Sequence, residues 1–154
     1  MVSRSSIVLM IYSLRTDAQL ENLSAIRDFV EDCAVRLNVA PAVIPNIVLA
    51  VDEMVTNIIE HGYAGQPGAI EVEVSDRGDA LIVELRDQAP PFDPTTQPPP
   101  DLAVSFEDRP PGGLGIYLMR KVMDDVQHRV TAAYRNNLTM IKYHVIQSTP
   151  GGTP

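Results

Sequence analysis

The chain has no tryptophan, a single cysteine and only 5% aromatic residues among its 154. A folded core must therefore be assembled from aliphatic and methionine side chains, and a hydrophobic content of 45% supplies enough of them for one substantial core. One cysteine, Cys33, excludes an internal disulfide framework. No apolar run approaches the ~20 residues that cross a bilayer. The opening SSIVLMIYSL is too short, and too weakly charged at its start, for a secretory signal, so a cytoplasmic location is expected. Basic residues are also scarce: 12 Lys and Arg stand against 20 Asp and Glu, for a formal net charge of −8. That balance argues against broad nucleic-acid or anionic-membrane binding, both of which rest on concentrated positive charge, and leaves room for a basic protein partner. Internal repeats are absent as well.

The pattern that is present reads as one α/β domain over residues 1–147, with a loose tail at 148–154. SIVLMIYS (Ser6 to Ser13) has the β-branched, apolar character of a strand, and Thr16 with Gln19 offers a capping-box start to a helix running to about Leu37. On that helix Leu20, Leu23, Ile26, Phe29, Val30, Cys33 and Leu37 recur at steps of three and four, which places Cys33 in packing rather than chemistry. A second helix is expected from Pro41 or Pro45 to Gly62, a residue suited to a helix C-terminus. AIEVEVS and ALIVELR, joined by DRGD, read as a hairpin whose Glu71 and Glu73 face water. A third helix is expected over Leu114 to Asp125. VQHRVTAAYR and LTMIKYHVI follow as strands joined at Asn136 and Asn137. Between the first hairpin and the third helix, Gln88 to Gly112 carries 8 of the 13 prolines without periodicity. A loop of this length between chemically suggestive segments predicts a lid, placed at about 94–112.

The second helix raises the functional question. Ile44, Ile47, Val48, Val51, Met54, Val55, Ile58 and Ile59 gather in one arc at ~100° per residue. Glu53 and Asn57 project elsewhere, one turn apart, with His61 a further turn along. A carboxylate and a carboxamide so placed can address one object beside the helix. Asp87 ends a regularly alternating strand, where its carboxylate could accept from a ligand amino group. Gly112, Gly113 and Gly115 open the third helix, where free backbone N–H groups and the positive end of the helix dipole favour an anion. The glycines form neither a Walker A loop nor a Rossmann fingerprint. His61, His128 and His144 show no metal-ligand spacing, and Met10, Met54, Met119, Met123 and Met140 read as core fillers.

In this order the segments resemble the ATP-binding domain of the GHKL superfamily (the Bergerat fold). They look most like the anti-sigma-factor serine kinases of the RsbW and SpoIIAB type. ExxxN at Glu53 to Asn57 with EHGY is similar to the N-box, DQAPPFDP and GGLGIYLMRKVMDDV to the two glycine boxes, and NNLTMIK to the final strand; the likeness covers about residues 46 to 142. It implies a two-layer α/β sandwich, a mixed and mostly antiparallel sheet with three helices on one face, and a homodimer. It also implies ATP or ADP with Mg²⁺ as ligands. Glu53 would be the general base for a Ser or Thr hydroxyl, Asn57 the Mg²⁺ ligand, and Asp87 the acceptor from adenine. Gly113 and Gly115 would admit the phosphates, Thr139 would support the adenine contact, and Arg109 in the lid would neutralise phosphate charge. The implied partners are a sigma factor and an anti-sigma-factor antagonist of the STAS fold, and the implied setting is transcriptional control of a stress response. One departure stands out: the usual DxG reads Asp87-Gln88-Ala89, and a methyl group at Ala89 predicts weaker ATP binding. That departure motivates an alternative reading, a nucleotide-gated binding module without phosphotransfer. A sensor histidine kinase or a gyrase- or MutL-type ATPase fits less well, since this chain carries no membrane segment, phosphoacceptor domain or transducer domain.

Overall fold

The computed structural model describes residues 9–109 and 113–148, the side chain of Phe106 apart. Five strands form one sheet in the order β1-β2-β3-β5-β4, where β1 is Ile11–Asp17, β2 Ala69–Arg77, β3 Ala80–Asp87, β4 Asp125–Arg129 and β5 Asn136–Lys142. Every described ladder is antiparallel, which narrows the mixed sheet expected from the sequence. Helices α1 (Leu23–Arg36), α2 (Ile44–Asn57) and α3 (Gly113–Val122) supply the second layer, with α2 between the other two.

Strand parity decides which residues meet the helices. Ile70, Val72 and Val74 of β2, Leu81, Val83 and Leu85 of β3, and Leu138 and Met140 of β5 are all buried against the helical layer. Ile26, Val30 and Cys33 of α1 meet them, with Ile47, Val51, Met54 and Val55 of α2 and Ile116 and Met119 of α3. Each fully buried aliphatic side chain contributes roughly 1.5–3 kcal/mol by leaving water. Burial also pushes the Cys33 thiol up to about 11, so the thiolate is suppressed and the residue serves packing.

On the other face of the sheet the residues in between form cross-strand rows. Arg15 stands opposite Glu71, Glu71 opposite Arg86, and Arg86 opposite Asn137. Glu73, Glu84 and Thr139 make the adjoining row. Arg86 donates to Glu73 at 3.0 Å and to Glu84, holding that row together.

Several boundaries differ from the sequence reading. Thr16 belongs to β1, opposite Ile70, and caps nothing; pairing with β2 extends the strand to Asp17, and α1 begins only after a 3-10 turn at Leu20–Asn22. The residues expected to begin the strand, up to 8, lie outside the described residues, as does most of the expected tail. Helix α2 does not stop at Gly62. It passes into a π-helical turn, Ile58–Tyr63, closed by Ala64 N donating to Ile59 O at 3.2 Å, and Ala64 takes the left-handed conformation (φ 50°). Helix α3 ends at Val122, short of Asp125, because Asp124 N donates to Ile141 O and turns the chain into β4. Asn136 and Asn137 are not the tip of the last hairpin. Thr131 and Tyr134 close that turn, and the asparagines begin β5 opposite Asp87 and Arg86.

Candidate functional site

The inward row of β3 runs Leu81, Val83, Leu85 and then Asp87, so the strand delivers a carboxylate to a core-facing position as it passes from under the helices. Asp87 is 2% exposed. Its Oδ1 accepts from Ala89 N at 2.9 Å and from Asn136 Nδ2 at 2.9 Å. Among the described residues no donor reaches Oδ2. Burial raises the Asp87 carboxyl above its ordinary value, while the hydrogen bonds from Asn136 and Ala89 and the nearby His128 work against that rise.

This carboxylate lines a cavity of about 270 Å³ together with Asn57, His61, Ala89, Phe92 and Leu138. The volume lies near the lower end of ligand pockets, roughly 300–1,000 Å³, and suits a flat ring system better than a whole nucleotide. The π turn matters here. Its extra residue per turn brings Ile58, His61 and Gly62 to the cavity wall beside Asn57. Tyr63, the last residue of that turn, donates its hydroxyl to Ala69 O at 2.7 Å and accepts from Gln88 N at 2.8 Å, fixing the end of β3 against α2.

The departure at Ala89 is accommodated locally. Ala89 is 2% exposed, and a Cβ placed on Gly62 would approach the Ala89 methyl to 3.1 Å. The missing side chain at Gly62 therefore provides the room that the methyl occupies.

One turn back along α2, about 6 Å toward its N-terminus, Glu53 meets the first turn of α3. A Cβ on Gly115 would fall 2.5 Å from Glu53 Oε2, so only glycine allows this approach, while Gly113 faces open space. Desolvation, and then the neighbouring Asp52, raise the Glu53 carboxyl above its ordinary value. Asp52 in turn lies 3.7 Å from Arg27 Nε on α1. The α3 amides carry the partial positive charge of a helix start, so this end of the site suits phosphate.

Thr139 stands elsewhere, and Arg109 is engaged by its own loop. Thr139 is opposite Glu84 and Gln127 on the face of the sheet away from the helices, because Leu138 and Met140 on either side of it point inward. It does not line the cavity, and Asn136 occupies the place beside Asp87 instead. Arg109 is held within the lid, donating to Val104 O at 3.2 Å and Leu102 O at 3.4 Å. Gly112 lies outside the described residues.

Asn136 is the residue that motif reading missed. It is 7% exposed. Besides Asp87, its Nδ2 reaches Ala89 O at 3.1 Å and Pro90 O at 3.3 Å; its Oδ1 accepts from Phe92 N at 2.9 Å and lies 2.7 Å from His128 Nε2. The signal was the even-numbered apolar phase of β5, in which position 136 must face inward with 138 and 140.

Comparison with known proteins adds a family. Residues 16–142 match the model of the histidine kinase-like ATPase domain. The chain is 30% identical over 103 residues to the serine/threonine-protein kinase BtrW of Bordetella bronchiseptica, covering 66% of this chain and 72% of that protein. It is also 30% identical over 118 residues to the serine-protein kinase RsbW of Bacillus cereus, covering 74% of each. Among solved structures, a Mycobacterium tuberculosis protein containing RsbU and RsbW domains superposes with a TM-score of 0.59 at 18% identity, over 90% of this chain. This chain spans 35% of that longer one, and the likeness there is one of fold.

Proposed function

The chain belongs to the histidine kinase-like ATPase domain family, in its RsbW-like serine-protein kinase branch, and from that premise we propose that it transfers the γ-phosphate of ATP to a Ser or Thr of an anti-sigma-factor antagonist of the STAS fold and also sequesters a sigma factor. One observation carries the reading. A buried aspartate with one uncommitted oxygen lines a ring-sized cavity, and the helix that walls this cavity brings a carboxylate against the glycine at the start of α3.

In this scheme adenine enters between Asn57, His61, Ala89 and Phe92 and donates its amino group to Asp87 Oδ2. The phosphates extend along α2 toward Gly113 and Gly115. Among the described residues no group of three or more His, Cys, Asp or Glu side chains could hold a metal ion. A single carboxamide oxygen, that of half-buried Asn57, fits an ion held chiefly by phosphate and water oxygens, as Mg²⁺ commonly is. Bound there, Mg²⁺ would neutralise phosphate charge. Glu53 removes the proton of the incoming hydroxyl as its oxygen bonds to the γ-phosphorus, and the bond from that phosphorus to the β,γ-bridging oxygen breaks to release ADP. The segment at about 94–112 then acts as a lid, anchored where Arg120 of α3 donates to Gln97 O at 3.1 Å. Among the described residues no helix is long and apolar enough to cross a membrane.

Incubation with Mg-ATP and the cognate antagonist tests the proposal. Glu53→Ala is expected to lower the rate of phosphate transfer by roughly 10²- to 10⁴-fold and to leave Mg-ADP affinity near wild type. Because desolvation and Asp52 favour protonated Glu53, the acid limb of the wild-type rate should lie above the ordinary glutamate range of about 4.3. Equal transfer by both proteins would remove Glu53 from the mechanism.

A further inference from the structure

We propose that Asn136 sets the base specificity of the cavity, by holding the Asp87 carboxylate as a hydrogen-bond acceptor and by tying it to the residues that follow β3. The inference rests on the nucleotide reading above and concerns a residue to which that reading gives no role.

The orientation of the Asn136 amide is decided by its neighbours. Phe92 N is a backbone N–H and can only donate, so the atom facing it at 2.9 Å must be the amide oxygen. The amide nitrogen then faces three acceptors: Asp87 Oδ1, Ala89 O and Pro90 O. His128 Nε2, 2.7 Å from the same amide oxygen, must carry its proton there to bond at all. The two amide hydrogens serve these three acceptors, the longer contacts to Ala89 O and Pro90 O sharing one of them, and the amide oxygen accepts from both Phe92 N and His128 Nε2.

That arrangement fixes the chemistry of Asp87. With Ala89 N and Asn136 Nδ2 both donating to Oδ1, the ionised carboxylate is favoured over the protonated one, and Oδ2, which no described donor reaches, is left as an acceptor for a ligand. Adenine offers an amino group at its 6-position and is accepted; guanine offers a carbonyl oxygen there and is repelled. Removing the Asn136 amide takes away one of the two donors that oppose the effect of burial on Asp87. A protonated Asp87 could then donate to the guanine oxygen, and discrimination between the bases would fade as pH falls. The same deletion would release Ala89, Pro90 and Phe92, which lead from β3 toward the lid.

Calorimetric titration of the full chain with Mg-ADP and with Mg-GDP, at about pH 5.5 and about pH 8, tests this. The wild type should prefer ADP at both. Asn136→Ala should lose roughly 10- to 100-fold in ADP affinity and should lose its preference over GDP further at the acid pH. Asn136→Asp should show the opposite trend. Its carboxylate repels Asp87 at high pH but, once protonated, can donate to Oδ1, so ADP affinity recovers as pH falls. A packing role alone would not reverse the pH trend between the two variants. Should either variant fail to fold, ¹⁵N spectra of the wild type serve in its place: the Asn136 side-chain amide should exchange slowly with solvent and shift when Mg-ADP binds. Wild-type binding of ADP combined with unaltered affinity and pH profile in Asn136→Ala, or a rapidly exchanging, unshifted amide, overturns the inference alone. A wild type that takes neither nucleotide overturns the nucleotide reading and this inference with it.

Discussion

Asp87 shows at the scale of one residue how a binding group weakens the fold that carries it. Burial raises its carboxyl above the ordinary aspartate value, so the folded chain holds that proton more tightly than the unfolded chain. Its stabilising contribution is therefore present below the unfolded value and is lost as pH rises through the folded one. At neutral pH the ionised, ligand-free site is a net cost, and Asp87→Asn should raise the melting temperature by a few degrees, on the order of 1 kcal/mol. The same substitution should weaken Mg-ADP binding roughly 10- to 100-fold, because a carboxamide can turn its NH₂ toward the amino group of adenine. A melting temperature that falls, or ADP affinity that is unchanged, would count against the assignment. Asp87 was legible from its position at the end of an alternating strand. Asn136 was not, because adjacent asparagines are common in turns and only their pairing opposite Asp87 and Arg86 shows them to be strand residues. Thr139 shows the converse: NNLTMIK resembles a family strand, yet the apolar phase of Leu138 and Met140 points Thr139 away from the helices.

At the scale of the element, α2 carries two surfaces, and most of its apolar arc was readable, Val48 and Ile58 of that arc being only partly buried. Ile44, Ile47, Val51, Met54, Val55 and Ile59 are buried as the periodicity requires. The π turn was not readable. Gly62 looks like a helix stop in sequence, yet the extra residue in the turn is what swings His61 and Gly62 to the cavity while Tyr63 pins β3. The meeting of α2 and α3 gives a prediction about catalysis rather than stability. Gly115→Ala would place a Cβ 2.5 Å from Glu53 Oε2, the far end of a flexible side chain, which can move at little cost to the fold. Displacing a base by about 1 Å can cost on the order of 100-fold in rate. Phosphate transfer by Gly115→Ala should therefore fall by about that factor, with thermal stability close to wild type. A variant that melts early but retains its rate per folded molecule would assign Gly115 to packing instead.

For the whole molecule, one face of the sheet is covered by helices and the other carries rows of charge, with Ile11 at 52% and Met10 at 44% exposure beside the edge strand β1. An edge strand flanked by exposed apolar side chains favours association, in line with the homodimer that the family resemblance implies. Light scattering should give about twice the 16.9 kDa chain mass at micromolar concentration, and a monomer mass throughout the concentration range would contradict it. The sequence by itself determined the helices and strands of an α/β domain, the inward and outward phase of the β2–β3 hairpin, and the presence of a carboxylate and a carboxamide on one helix edge, because these follow from local period and side-chain chemistry. Only the tertiary structure decided which polar groups face one another. The contacts of Asn136 with Asp87 and of Gly115 with Glu53 join positions 49 and 62 residues apart, and no local period encodes a distance of that kind.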